Sequence, residues 1–526
     1  MGNLFDVIYD HGLLAVSLTA ILYLFVEAIY NVYFHPLTNV PGPLWCKVSG
    51  WPSCYQASTG YRHIWIWQNH EIYGDRFRYR PDGVLIATPK GYREIYNSKA
   101  NVKKVKWYEV WRRNNEDYNA LNTTDPHKHM VLRKPLNSAF SEKSLRSSEP
   151  FIIKNVDRWI ELMLDGKKTK GTTEWATPKN LGGEWLIILT KRNPLRQIPH
   201  IIGEYLQFMY AISNSPFLNA WVWLKPRGID KLLAMVTPKS VINFYKFLET
   251  CVEEREKQER KTEKNGTENG RKDMFHYLFQ AKDSETGAPA FNHTELVATA
   301  NLLVTTGSDT IATALRSALF YLTRNLHVYE KLAKEIRETF SSAENIRSSV
   351  ALSQCQYLQA CRLEAMRMSP SGPSELPRQV LPGGIEVDGH WYPENTLIGV
   401  PNYSLHYHQE TFKDPFVFRL ERWVPNDELG ISAENVAALQ EPFKPFSIGP
   451  GQCPGKNIAL LEMYVTLGRT IYGCDFRRPV DDISNRGSGR PEDIWGRRNK
   501  NQYQVVDAFL ALRSGPVIQL RRRETS

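Results

Sequence analysis

Apolar side chains recur every three to four positions over long stretches of the chain, which is the spacing of amphipathic helices. This pattern predicts helices over residues 240–254, 295–325, 326–340 and 352–368. Short apolar or alternating runs predict strands at residues 384–387, 396–400, 507–512 and 517–520. The last two strands flank Ser514 and Gly515. We therefore expect a mainly α-helical fold with small β-sheets.

The apolar run near the amino terminus is long enough to cross a membrane. Residues 13–34 carry one charge, Glu27, and a spanning helix needs about 20 apolar residues. No Lys or Arg precedes Lys47, so the basic region that begins a cleaved signal peptide is missing. We predict a single permanent transmembrane anchor over residues 1–34. A buried core helix, which Glu27 and the aromatic residues would also suit, is the alternative.

A proline-rich segment follows the apolar run. Pro36, Pro41 and Pro43 stiffen residues 35–45, which we interpret as a hinge between the anchor and a body of residues 46–526. Basic residues lie only downstream of the anchor, a bias that favours a cytosolic body.

Composition and charge exclude several classes of protein. The chain has 526 residues and is 42% hydrophobic and 12% aromatic, as in globular proteins. Its seven cysteines form no CxxC pairs, so neither a disulfide framework nor a zinc site is indicated. The net charge of +10 suits a membrane surface or an acidic protein partner. Because acidic residues are interspersed with the basic ones, we expect no nucleic acid partner.

The stretch FSIGPGQCPG, residues 446–455, places Cys453 among three glycines and two prolines. Such a rigid turn can present a thiolate and direct backbone N–H groups at its sulfur, and thiolate is a strong ligand for iron. A buried structural cysteine is the commoner case. The interpretation therefore depends on the other motifs.

Two further motifs occur on predicted helices. Glu364 and Arg367 in CRLEAMRMS lie one turn apart on one face, and Arg422 in FRLERW is a possible second partner for Glu364. In TTGSDTIATAL, a glycine weakens the helix where Asp309 and Thr310 place a carboxyl beside a hydroxyl.

In this order, the motifs resemble those of the cytochrome P450 superfamily, the heme-thiolate monooxygenases, over nearly the whole chain. The anchor and hinge are similar to those of microsomal members, and the phrases FHPLTNVPGP and DAFLALRSGP resemble filamentous-fungal members. The resemblance implies the P450 fold, a helical bundle around heme with small β-sheets, with residues 46–526 as the catalytic domain. It also implies heme b, electrons from NADPH through NADPH–cytochrome P450 reductase, and a location in the endoplasmic reticulum membrane.

The resemblance identifies Cys453 as the axial thiolate ligand of the heme iron. Phe446 would pack beside it, and Gly449 and Gly455 would let the loop approach the porphyrin closely. A thiolate pushes electron density onto iron and so favours cleavage of the O–O bond of dioxygen.

On the other side of the heme, the resemblance gives Asp309 and Thr310 the role of delivering protons. A Thr310 hydroxyl bonded back to its own helix is the alternative. Leu302, Leu303 and Thr306, about one turn earlier, are expected to face the substrate, with packing in the core as their alternative.

Basic residues are expected at the heme propionates. His129 and Arg133 share one helix face, and Arg378 matches the family's other propionate-binding position; an exposed basic face is the alternative. Gly451 stands where most members carry a further basic residue. We therefore expect heme retention to depend more heavily on the other three.

Two other regions depart from the family. Residues 175–194 lack the expected long amphipathic helix, which indicates a shortened helix or a gene-model defect. Ser374 and Glu375 are polar where related enzymes are often apolar. We place Glu375 in the substrate pocket, where it would orient a polar or cationic group of the substrate. Exposure to solvent, or pairing with a basic residue, is the alternative.

Together these expectations describe a membrane-anchored monooxygenase that oxidises a hydrophobic small molecule. A fungal terpenoid, polyketide or peptide-derived metabolite is the expected substrate class. Related sites also desaturate substrates or couple phenols, so those reactions are alternatives, as is a heme-binding membrane protein without turnover.

Overall fold

The computed structural model describes residues 2–165, 174–181, 198–264, 273–283 and 285–523. Within these ranges the chain is mainly helical with small β-sheets, which confirms the predicted fold class. The apolar run at residues 185–189, and with it most of the segment after Trp175, lies outside the described residues.

The helices are numbered in chain order over the described residues. They are α1 (Gly2–Ile29), α2 (Leu44–Val48), α3 (Trp51–Thr59), α4 (Arg62–Tyr73), α5 (Pro89–Tyr96), α6 (Pro126–Ala139), α7 (Glu142–Met163), α8 (Ile198–Ser213), α9 (Leu218–Leu224), α10 (Ile229–Val236), α11 (Lys239–Lys264), α12 (Met274–Phe279), α13 (His293–Leu322), α14 (Leu326–Thr339), α15 (Val350–Gln354), α16 (Gln356–Met368), α17 (Asn402–His406), α18 (Ala433–Gln440) and α19 (Lys456–Gly473).

The strands are short and form separate small sheets. They are β1 (Arg76–Arg80), β2 (Gly83–Ile86), β3 (Val102–Lys104), β4 (Lys179–Asn180), β5 (Arg378–Val380), β6 (Ile385–Val387), β7 (His390–Tyr392), β8 (Leu397–Gly399), β9 (Cys474–Arg477), β10 (Val505–Ala508), β11 (Leu510–Arg513) and β12 (Val517–Arg522). The largest sheet has the order β1-β2-β8-β5-β3, and only its β2–β8 pair is parallel.

The central element is α13. Its first turn is closed by a capping box, in which the Asn292 side chain accepts from the Glu295 N–H and the Glu295 side chain accepts from the Asn292 N–H. Residues 311–322 are buried, and α13 contacts α16, α19 and β11. Residues 301–310 are less buried, which leaves this part of the helix available to line a cavity.

The helical pattern predicted three of the four long helices well, but the helix predicted over residues 352–368 is divided at Cys355 into α15 and α16, and one strand prediction was also wrong. Residues 507–512 form two strands, β10 and β11, that pair antiparallel with Ala508 opposite Leu510. The chain reverses at Phe509, which has a φ of 73°. A left-handed backbone is uncommon for a bulky residue such as Phe509. The sequence therefore contains no sign of a turn there, and the alternating pattern predicted a continuous strand.

Helix α1 and the helical turn Tyr30–Phe34 that follows it are apolar over Leu14–Phe34, a 21-residue span with little of it buried in the protein. By length and composition it can cross a bilayer, although a signal sequence passes the same test.

The segment that follows is attached to β1. The buried Arg78 guanidinium donates to the carbonyl oxygen of Asn31 at 2.8 Å, and its backbone N–H donates to that of Pro41 at 2.7 Å. A Cβ at Gly42 would lie 2.6 Å from the Arg78 carbonyl oxygen, so glycine permits this close approach. The end of the apolar span and the proline-rich segment are therefore both held against the body.

Candidate active site

The loop before α19 presents Cys453. Ser447 and Gly449 have φ angles of 58° and 64°, and the Cys453 N–H donates to the carbonyl oxygen of Phe446 at 2.8 Å. A Cβ at Gly449 would lie 2.2 Å from the carbonyl oxygen of Tyr96. The loop can therefore pass this close to the end of α5 only with glycine at that position.

The Cys453 thiol is solvent-accessible, whereas Cys46, Cys355, Cys361 and Cys474 are buried. Burial among neighbouring atoms still raises the pKa of the Cys453 thiol, while the Gly455 N–H and the charge of Arg133 act in the opposite direction. An accessible atom that is nevertheless surrounded by protein lies in a recess. This is the setting that a ligating sulfur requires.

Gly455 and Phe446 lie on the same loop as the sulfur. A Cβ at Gly455 would lie 3.9 Å from Cys453 Sγ, and Phe446 packs against the main hydrophobic core. The Gly455 N–H also points its partial positive charge toward the sulfur, which stabilises a thiolate.

Arg378 is buried and has neutral partners. Its Nη1 donates to Tyr108 Oη at 2.9 Å and to the carbonyl oxygens of Pro377 at 3.0 Å and Leu376 at 3.2 Å. Among the described residues, no carboxylate lies within ion-pair distance of its guanidinium.

His129 and Arg133 lie in the same positively charged surroundings. Arg133 Nη2 donates to the carbonyl oxygen of Gln452 at 2.5 Å, beside the cysteine. Burial, followed by the charges of Lys104, Arg133 and Arg378, lowers the pKa of His129 to about 4. An accessible thiol beside several basic groups that have no carboxylate partner among the described residues matches the requirements of heme, because the thiolate suits iron and the cations suit the two propionates.

Glu364 is fully buried at the centre of an ion-pair network. Its carboxylate accepts two bonds from Arg367 at 2.9 Å and one from Arg422 Nε at 3.0 Å. It also accepts from Trp423 Nε1 at 2.8 Å and from the Arg419 N–H at 3.1 Å. The structure thus brings together the three charged residues that the motifs singled out.

The charge of this carboxylate is maintained despite its burial. Burial alone would raise the pKa of Glu364, but Arg367 and Arg422 bring it below its ordinary value. Arg367 also donates to the carbonyl oxygens of His406 and Pro415, both at 2.8 Å. The network therefore joins α16 to the chain that leads toward the cysteine loop.

Removing this carboxylate should be costly. We expect Glu364→Gln to lower the free energy of unfolding by about 3–5 kcal/mol, because Arg367 and Arg422 would remain buried without their anion. The matched control is Glu338→Gln on α14, which removes an exposed pair with Lys334 at 3.9 Å and should cost less than about 1 kcal/mol. Denaturant titration measures both variants, and equal losses would contradict the assigned role of Glu364.

On α13 the two predicted relay residues have partners. Asp309 Oδ1 accepts from Arg513 Nη2 at 2.9 Å. Thr310 Oγ1 donates to the carbonyl oxygen of Thr306 at 2.7 Å, which is the alternative arrangement considered for this hydroxyl. Its oxygen can still accept a further hydrogen bond.

A largely apolar cavity extends along α13 between α8, α11 and the hairpin of β10 and β11. Leu302 and Thr306 line it, as predicted from their spacing. Other lining residues include Trp111, Leu206, Phe244, Tyr245, Asn301 and Phe509.

Leu303 differs from this expectation, because it packs against a hydrophobic cluster that includes Leu132, Phe244 and Leu296. Residues four apart, such as Leu302 and Thr306, share one helix face, whereas the next residue is turned away by about 100°.

Glu375 is also placed differently from the pocket position assigned to it. Its carboxylate forms a bidentate pair with Arg62, with both distances 2.7 Å, and both side chains are buried. Arg62 also donates to Tyr210 Oη at 3.1 Å. The buried guanidinium requires a carboxylate, so Glu375 neutralises Arg62, and it does not line the cavity described above.

A second carboxyl completes this buried network. Asp507 accepts from Ser374 Oγ at 2.5 Å and from Tyr210 Oη at 3.1 Å. Burial raises the pKa of Asp507 to about 6, although Ser374 and Arg62 act in the opposite direction. The network connects α4, α8 and β10, and so supports the hairpin that borders the cavity.

The raised pKa of Asp507 predicts that the stability of the protein depends on pH. Because its pKa is raised in the folded chain, Asp507 favours the fold most below its ordinary pKa of 3.8 and progressively less as pH rises through about 6. The unfolding free energy of the wild type should therefore fall relative to that of Asp507→Asn between about pH 4 and pH 6. Denaturant titration across this range is the measurement, and a constant difference between the two proteins would be the contrary result.

Sequence reasoning missed three basic residues that the structure places at or near the site, namely Arg62, Lys104 and Arg513, and it also missed the acidic residue Asp507. Lys104 is one of three lysines in the run VKKVK, residues 102–106. Only the register of β3 against β5 shows that Lys104 is the lysine opposite Arg378. Arg62 pairs with Glu375 and Arg513 pairs with Asp309. Both partners are distant in sequence, so no local pattern indicates these arginines.

Comparison with known proteins identifies the family. The family model described as Cytochrome P450 matches residues 51–487. The cytochrome P450 monooxygenase fscF of Fusarium equiseti is 32% identical over 517 residues, covering 95% of each chain. The corresponding monooxygenase apf7 of Gibberella fujikuroi is 31% identical over 528 residues, covering 95% of this chain and 96% of the relative. The monooxygenase AKT7 of Alternaria alternata is 28% identical over 520 residues, covering 96% of this chain and 97% of the relative.

The chain therefore belongs to the cytochrome P450 family. It is a heme-thiolate monooxygenase, which confirms the predicted family and enzyme class. Membership implies heme iron held by a thiolate, a redox partner that supplies electrons, and hydrophobic substrates.

Proposed function

We propose that this protein inserts one atom of dioxygen into a hydrophobic small molecule of fungal secondary metabolism. The observation that carries the proposal is the accessible Cys453 thiol, held by a glycine-rich turn near a group of basic residues with no carboxylate partner among the described residues. The fungal monooxygenases that resemble the chain along almost its whole length support the same assignment.

In this proposal the chain is anchored to the endoplasmic reticulum membrane. Residues 1–34 form the anchor, 35–45 the hinge and 46–526 the cytosolic catalytic domain. The apolar span Leu14–Phe34 supports the anchor. The surplus of positive charge supports docking to an acidic face of NADPH–cytochrome P450 reductase, which passes on electrons from NADPH.

Cys453 would hold the heme iron, with Phe446, Gly449 and Gly455 shaping the loop around the sulfur. Arg133 and Arg378 would neutralise the propionates, and His129 would donate a hydrogen bond to one of them. When bound, the heme activates dioxygen, so that one oxygen atom enters the substrate and the other leaves as water, at the expense of two electrons and two protons.

Asp309 and Thr310 would deliver those protons. Thr310 Oγ1 can hold a water molecule, and Asp309 Oδ1 can pass a proton to it when its contact with Arg513 is exchanged for water. Arg513 is almost fully buried and also donates to the carbonyl oxygen of Ala511. It therefore holds the Asp309 carboxylate in place between proton transfers.

The cavity supports a hydrophobic substrate with a small number of polar groups. Its walls are mainly aromatic and aliphatic. Its polar groups include Asn301 and Tyr245, and Asn301 Nδ2 donates to Tyr245 Oη at 3.5 Å. A site of this kind binds apolar surface and orients it with a few hydrogen bonds.

Loss of the relay should uncouple electron use from product formation. We expect Thr310→Ala, Asp309→Asn and Arg513→Gln each to lower product per NADPH by about tenfold or more, with hydrogen peroxide rising, because proton delivery contributes on the order of 10²–10⁴ to such steps. Thr313→Ala, one turn further along α13, should stay coupled. Purified protein with reductase gives both quantities, and unchanged coupling in all three variants would exclude this relay.

The proposed activity is tested by metabolite profiles of a strain that lacks the gene, restored with wild type, Cys453→Ala or Thr310→Ala. We expect a product to disappear and a precursor lighter by one oxygen atom to accumulate, with only the wild type restoring the product fully. A precursor that differs by two hydrogens would indicate desaturation or coupling. An unchanged profile would contradict turnover.

A further inference from the structure

Lys104 faces Arg378 across the largest sheet. It ends β3 and is the antiparallel register partner of Arg378 in β5. Directly opposite residues have Cβ atoms about 4.5–5.5 Å apart on the same face of a sheet, and like charges in such a pair are destabilising. Two cations in this arrangement require an anion to offset them.

The described part of the chain does not supply that anion. Lys104 Nζ donates to the carbonyl oxygens of Ala120 at 2.7 Å and Leu121 at 3.1 Å. It also lies 5.4 Å from the centre of the Tyr108 ring, whose hydroxyl accepts from Arg378. No described carboxylate lies within ion-pair distance of Lys104, Arg133 or Arg378. Arg378 is buried, and a buried charge without a counter-ion is costly.

The electrostatics show that these groups form one cluster. Burial, followed by the charges of Arg378 and Arg133, lowers the pKa of Lys104 to about 7. The pKa of His129 is lowered by burial and by the same two arginines together with Lys104. The charges of Arg133 and Arg378 thus act on both Lys104 and His129, across β3, β5 and α6.

Gly451 explains why a cation from β3 is needed. A Cβ at this position would lie 3.0 Å from Arg378 Nη2, so the cysteine loop passes directly beside the guanidinium without contributing a side chain. Arg378 therefore has a glycine on the loop side and Lys104 as its neighbour across the sheet.

We propose that Lys104 binds a heme propionate together with Arg378 and so replaces the basic residue that the cysteine loop lacks at Gly451. The ligand is a carboxylate of the tetrapyrrole, held by charge-assisted hydrogen bonds from the ammonium and the guanidinium. This inference rests on the proposed function, because it requires heme bound at Cys453.

The test is heme release from the purified holoenzyme to excess apomyoglobin. Lys104→Gln should release heme about tenfold faster than wild type or more, which is the value of one strong charge-assisted bond. Lys104→Arg should stay near the wild-type rate. Lys103→Gln is the matched control, because Lys103 is exposed and adjacent residues of a strand point to opposite faces.

A second readout separates a charge effect from a packing effect. A positive charge near the heme favours the reduced state, so Lys104→Gln should lower the heme reduction potential while Lys104→Arg and Lys103→Gln leave it unchanged. A lysine that only supports the fold would not shift the potential in this charge-dependent way.

The outcomes distinguish this inference from the proposed function. Wild-type protein without thiolate-ligated heme would overturn both. If the wild type has thiolate-ligated heme but Lys104→Gln matches Lys103→Gln in its rate of heme release and its reduction potential, only the role of Lys104 is overturned. If Lys104→Gln yields no folded holoenzyme, Lys104→Arg decides, because normal retention supports the cation role and heme loss overturns it.

Discussion

The buried carboxylate of Glu364 is the interaction on which the rest of the site depends. It pairs with both Arg367 and Arg422 and accepts from Trp423, in a region from which water is excluded. Because buried cations without an anion are strongly unfavourable, this network ties α16 to the segment that precedes the cysteine loop. The loop can then pass beside α5 with Cys453 accessible in its recess.

Charge in this fold follows two different arrangements. The buried guanidinium groups of Arg367 and Arg422 pair with the Glu364 carboxylate, and that of Arg62 pairs with the Glu375 carboxylate. Around Lys104 and Arg378, the described residues provide only carbonyls and a phenol. The second setting brings several basic side chains together without a carboxylate among the described residues, and an anion from outside the chain would offset their charge. A heme carboxylate meets that requirement beside the thiol that would hold its iron.

The parts of the site that depend on local spacing could be predicted from sequence. Cys453 in its glycine-rich turn and the pair Glu364 and Arg367 are recognisable because a turn or one helical period places their groups. The pair of Arg62 and Glu375 spans 313 residues, so its existence depends on packing that no local pattern contains. The reversal at Phe509 was missed for the same reason, since tertiary contacts overcome an unfavourable left-handed backbone.

The most direct test of this account is the absorption spectrum of the reduced protein under carbon monoxide, with Cys453→Ala compared with the buried-cysteine control Cys361→Ala. We expect wild type and Cys361→Ala to show the red-shifted Soret band of thiolate-ligated heme, and Cys453→Ala to lose it. Persistence of that band in Cys453→Ala would contradict the assignment of the ligand and, with it, the arrangement of the site.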